Sequence, residues 1–68
     1  MKVIVGLRFQ EREPPHRLWE TVRIIDPLHG FRHAWLRLAA DHRKTLMLSC
    51  DALENGEIYQ AAGFERFG

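Results

Sequence analysis

The sequence predicts a mainly β domain of five short strands, with one helical turn near residues 51–55. Three observations carry that prediction. Apolar and polar residues alternate with period two over KVIVGLRF and again over KTLMLSC, the repeat of a strand with one buried face. Between them, LWETVRII is rich in β-branched and aromatic residues, which suit a pleated, half-buried surface. Turn residues (Pro14-Pro15, Asp26-Pro27, Gly30 and Asn55-Gly56) keep each run short.

The 68 residues leave room for one core, so residues 1–68 are read as a single domain. At 46% apolar and 28% charged, the chain buries enough surface to offset its conformational entropy. In the first strand, residues 2–9, Val3, Val5, Leu7 and Phe9 share the inner face and Lys2, Gly6 and Arg8 the outer. QEREPPHR, residues 10–17, breaks the alternation and forms a loop. A second strand runs from Trp19 to Ile25; Asp26-Pro27 stops it and Gly30 permits a turn. Over residues 44–50, Leu46, Leu48 and Cys50 point inward, and Thr45, Met47 and Ser49 outward. Asp51 with Glu54 makes a capping-box-like pair for the helical turn, which Asn55-Gly56 ends. Glu57 to Ala61 supplies a closing strand. Residues 62–68 form a tail whose Phe64 and Phe67 dock on the domain or on a second subunit.

Residues 31–43 admit two readings. As a helix, Phe31, Ala34, Trp35, Leu38 and Ala39 make an amphipathic stripe, giving an α+β alternative. As a strand, Ala34, Leu36 and Leu38 face inward and His33, Trp35 and Arg37 outward. The strand reading also gives residues 19–25 a hydrogen-bonded neighbour, since sequential strands usually pair. The pattern Trp19-Glu20-x-Val22-x-Ile24, His33-Ala34-x-Leu36 and Lys44-Thr45-Leu46-x-Leu48-Ser49-x-x-Ala52-Leu53, with Tyr59, resembles small bacterial proteins of unassigned function. Those are similar to SH3-like barrels. The resemblance spans residues 3–60 and implies five bent strands, a long loop after the first and a helical turn before the last. It brings no active site with it. The strand reading is adopted, giving a small five-stranded SH3-like barrel.

Charge and cysteine use bound the function. Residues 16–44 carry net +3, residues 51–68 net −3, and the whole chain only +1. Eight of the ten basic residues are arginine, the side chain suited to flat bidentate contacts with phosphate or carboxylate, so the basic middle suggests a polyanion or an acidic partner. The bland alternative is a mixed solvated surface. One cysteine, Cys50, cannot form an internal disulfide and suits a reducing compartment. Arg8 interrupts the opening apolar run before it reaches signal-peptide length, and no stretch approaches transmembrane length. The expectation is cytoplasmic, with no membrane role.

Four histidines raise the question of a metal. His29 and His33 stand four apart, with His16 and His42 flanking, but a strand separates such a pair by about 13 Å. Structural zinc wants four ligands, usually with paired cysteines, and Cys50 shares the inward parity of Leu46 and Leu48. No metal or cofactor is expected. Ser49, Cys50 and a histidine lack a nucleophile elbow, and no phosphate-cradling glycine loop is present. The reading is therefore non-enzymatic, with no small-molecule substrate and no pocket of ligand size unless the barrel oligomerises. The sharpest positive signal is an outer face carrying Arg8, Arg23, His33, Trp35 and Arg37, with Trp19 on the parity of Arg23 and with Arg43 and Lys44 following. Cations interleaved with an aromatic are what a sheet needs to follow phosphates and stack a base. The alternative is a protein-interaction or homodimerising surface on the same face, since Trp and Arg are enriched there too. Pro14-Pro15 occupies the place of an SH3 specificity loop, without the aromatic row that reads proline-rich peptides.

Overall fold

The computed structural model describes residues 2–64 and holds five antiparallel strands and one short helix. In chain order these are β1 (Leu7–Glu11), β2 (Leu18–Ile25), β3 (His33–Leu38), β4 (Asp41–Ser49), α1 (Cys50–Glu54) and β5 (Tyr59–Phe64). The strands form one sheet in the order β4-β3-β2-β1-β5, which is not closed: β4 and β5 are its edges. Residues 31–43 are β3, a two-residue turn and the start of β4, so the helical alternative is not realised. Pairing with β2 and β4 on both sides outweighs the amphipathic stripe, because a single turn of helix there would leave the backbone groups of both neighbours unmatched.

One face of the sheet is the core. Val3, Leu7, Phe9, Trp19, Ala34, Leu36, Leu38, Cys50 and Leu53 are buried, with Ile24, Leu46, Leu48 and Tyr59 packed against them. Leu53 seals the core from α1; a leucine fully withdrawn from water contributes about 2 kcal/mol. The inward sets expected in the third and fourth strands, Ala34, Leu36 and Leu38, then Leu46, Leu48 and Cys50, take those places. The first strand starts later than its alternation suggests. Gly6 adopts φ +92° in a tight turn in which Leu7 N–H donates to Ile4 C=O (3.2 Å), and Gly6 N–H donates to Thr21 C=O (2.8 Å). Val3 is therefore buried before the turn, and Val5 is exposed on it.

Three further boundaries differ. Trp19 lies in the core and not on the outer face, because β2 bulges at Val22: Thr21 pairs with Leu36, and Arg23 with Trp35. The extra residue shifts the parity, so Trp19 and Thr21 point inward on one side of the bulge and Ile24 on the other. The N-cap of α1 is Ser49, whose hydroxyl accepts Ala52 N–H at 3.1 Å; Asp51 sits in the first turn instead. Ala62, Gly63 and Phe64 are not tail but the end of β5, with an irregularity at Gly63 (φ +85°) that lets Leu7 pair with Phe64 and Phe9 with Ala61. Phe64 is exposed, and Phe67 lies outside the described residues.

Candidate binding face

Pairing across β1 to β4 builds the side of the sheet opposite the core as three rows. Arg8, Glu20, Arg37 and Thr45 stand opposite one another in the first. Arg23, Trp35 and Met47 make the second, and Ile25, His33 and Ser49 the third. The face thus collects Arg8, Arg23, His33, Trp35 and Arg37. Trp35 (39% exposed) and Met47 (46% exposed) lie side by side at its centre, next to the exposed Arg23. Among the described residues, Arg23 has no carboxylate within ion-pair distance.

The first row is organised by a residue that sequence reasoning passed over. Glu20 is 3% exposed, and its Oε2 accepts hydrogen bonds from Arg8 Nη2 (2.9 Å) and Nε (3.2 Å). Its Oε1 accepts Arg37 Nε at 3.0 Å and lies 3.3 Å from His42 Nε2. Burial pushes the Glu20 carboxyl up, but the hydrogen bonds and charges of Arg37 and Arg8 outweigh it and hold the group below the usual carboxylate range. Arg8 and Arg37 are about three-quarters covered as a result. Uninterrupted alternation over residues 19–25 would put Glu20 on the parity of Val22 and Ile24, facing the core. An unpartnered carboxylate in a core was the available warning that the parity breaks there.

Arg43 and Lys44 do not join this grouping in the same way. They lie in the irregular stretch of β4 between the Leu38–Asp41 and Arg37–Thr45 pairs. Arg43 Nε and Nη2 close on Asp41 Oδ1 and Oδ2 at 3.0 and 3.2 Å, and hydrogen bonds from Arg43 lower the Asp41 carboxyl. Lys44 is exposed. Arg43 and Lys44 charge the start of an edge strand, which discourages unwanted strand pairing.

The histidines are dispersed. His16 is in the β1–β2 loop, His29 in the β2–β3 loop, His33 on β3 with Nδ1 2.9 Å from Phe31 C=O, and His42 beside Glu20. Among the described residues no three His, Cys, Asp or Glu side chains converge as a metal site. Cys50 is 2% exposed, and burial pushes its thiol above the usual range, as befits a packing residue. The expectation of no ligand-sized concavity needs correction. A cleft of about 400 Å³ opens between the β1–β2 loop and the segment before β5, lined by Glu11, Glu13, Pro14, Pro15, Arg17, Glu57 and Ile58. Part of its charge is already spent: Glu11 pairs with Arg17 at 3.0 Å and accepts the Trp19 indole N–H at 2.8 Å. Among the described residues, no helix is long and apolar enough to cross a membrane.

No family model, curated protein or solved structure matches the chain. The functional reading therefore stands on these residues and their arrangement.

Proposed function

We propose that this protein is a non-enzymatic, cytoplasmic binding module of SH3-like type that associates with nucleic acid through the face opposite its core. The observation that carries this reading is Trp35, held half-exposed between Arg23 and Met47 on three adjacent strands. Three arginines (Arg8, Arg23 and Arg37) share the placed rows with one carboxylate, Glu20, so the face has an excess of positive charge where a planar apolar group is also offered. Arg23 is the principal phosphate ligand, since Arg8 and Arg37 already hydrogen-bond Glu20 and are partly covered by it. His33 flanks the platform, while Arg43 and Lys44 extend the positive field from the edge.

The test is anisotropy titration of labelled short oligonucleotides, single-stranded and duplex, at about 50 and 200 mM salt. Binding at low salt that weakens with salt and with Arg23→Ala is expected. No binding of either form at 50 mM overturns the proposal.

One observation favours a second reading. Trp35, Met47 and the partly covered Ile25 are neighbours in adjacent rows, and an apolar centre with an arginine rim also suits a protein partner or a second copy of the chain. Light scattering over a range of concentrations separates the cases: dimers that Trp35→Ala dissolves into monomers support this second reading.

A further inference from the structure

Deepening that reading and resting on it, we infer that the occupant of the face is a single strand, one of whose unstacked bases lies on Trp35. Three features of the face favour a single strand over a duplex. The first is the apolar centre. Trp35 and Met47 are 39% and 46% exposed and stand directly opposite one another on β3 and β4. A duplex presents phosphates and sugars to its surroundings and keeps its base faces stacked inside, so it has nothing to lay on this pair. An unstacked base presents a π-face, and aromatic side chains on a sheet are the usual platform for it.

The second feature is the shape of the element that carries the platform. β3 is the interior strand between β2 and β4, not a protruding two-stranded ribbon of the kind a major groove admits. The only helix among the described residues, α1, has five residues and turns Cys50 and Leu53 into the core. Among the described residues, neither α1 nor β3 projects so as to enter a groove.

The third feature is the modest charge. Glu20 draws on both Arg8 and Arg37, which leaves Arg23 as the exposed arginine of the three rows. Duplex binding without base contacts draws its affinity from the phosphates it neutralises, and these rows offer few cations for that. With two or three phosphates neutralised, a single strand loses about tenfold in affinity between 50 and 200 mM salt. Stacking on Trp35 supplies the salt-independent remainder.

Intrinsic tryptophan fluorescence reads this directly, because Trp19 is buried and Trp35 is the half-exposed reporter. The probes are a twelve-nucleotide oligothymidylate, an oligouridylate of the same length, and a twelve-base-pair DNA duplex. The expected result is quenching by both single strands in the parent and at least tenfold weaker binding of the duplex; with the same probes carrying a fluorescent label and read by anisotropy, Trp35→Phe retains binding and Trp35→Ala loses about tenfold or more. The circular dichroism spectrum of Trp35→Ala should match that of the parent, which separates lost stacking from lost folding. Duplex binding as tight as single-strand binding overturns the inference and leaves the nucleic-acid reading standing. Trp35→Ala binding as well as the parent overturns the stacking role, and no binding of any probe overturns both proposals.

Discussion

Arg37 donates its Nε–H to Glu20 Oε1 at 3.0 Å across the β2–β3 pair, and the carboxylate that accepts it is almost wholly covered. With Arg8 on the other oxygen, Glu20 ties β1, β2 and β3 together on the side of the sheet away from the core. Removing one member of a buried ion pair strands the others, so Glu20→Gln should destabilise the protein by about 2 kcal/mol; the residual exposure of the two arginines keeps the loss below that of a fully buried pair. Urea denaturation with an unchanged m-value is the check. No loss of stability would show that the cluster is ornamental.

Acid should act on the same residue. Glu20, Glu11 and Asp41 all have folded-state pKa values below their ordinary ones. For Glu20 burial opposes the shift and the arginines outweigh it; for Glu11 the Trp19 hydrogen bond leads, and for Asp41 the hydrogen bonds of Arg43. A depressed carboxyl stabilises the fold above its unfolded pKa and loses that contribution as pH falls through the folded one. The contribution of these three carboxylates should therefore be complete above about pH 4.3 and decline below it. Melting temperatures across pH 3 to 7 test this, and Glu20→Gln should flatten the acid limb.

The two tryptophans should respond unequally to truncation. Trp19 is 6% exposed in the core, so Trp19→Ala should cost about 3–5 kcal/mol. Trp35 has its outer surface in water, so Trp35→Ala should cost about 1 kcal/mol. Iodide should quench emission from Trp35 and spare Trp19. Equal losses in the two variants would contradict the bulge at Val22.

A smaller effect tests the helix start. Ser49→Ala removes the hydroxyl that accepts Ala52 N–H and should cost about 1 kcal/mol. Asp51→Ala removes only a favourable charge from the first turn and should cost about 0.3 kcal/mol. The reverse order would restore Asp51 as the cap.

Thr21 offers a gain. Its side chain is fully buried, opposite Leu36, and its Oγ1 has no hydrogen-bond partner. Thr21→Val keeps the shape and removes an unsatisfied hydroxyl, so a stabilisation of about 1 kcal/mol is expected in a urea titration.

Where the physics is local, the sequence shows it. Alternation alone orients Leu7 and Phe9, Ala34 to Leu38, and Leu46 to Leu48, because side chains on a regular strand must alternate; Cys50 is buried from α1 instead. Gly30 marks the turn and Asn55-Gly56 the helix stop. The helical stripe at residues 31–43 was undone by partners on both sides of β3, a tertiary fact that periodicity over one segment does not carry. Trp19 was misplaced for a related reason. A bulge at Val22 is decided by how β2 meets β3, and no residue in LWETVRII announces it. With the parity shifted, Glu20 emerges beside Arg8 and Arg37, and the face reads differently: two arginines are already occupied, and Arg23 carries the exposed charge. Arg43 and Lys44 are adjacent in sequence to the face but lie in an irregular stretch of edge strand, where spacing does not set direction.

The central claim is that the rows containing Arg23, Trp35 and Met47 meet the nucleic acid, and amide chemical-shift mapping on the uniformly labelled protein tests it most directly. Addition of oligothymidylate at about 50 mM salt should move the signals of Arg23, His33, Trp35, Arg37 and Met47 and the Trp35 indole N–H, leaving those of Glu13, Glu57 and Ile58 in place. Shifts confined to the cleft beside the β1–β2 loop, or an unchanged spectrum, would contradict it.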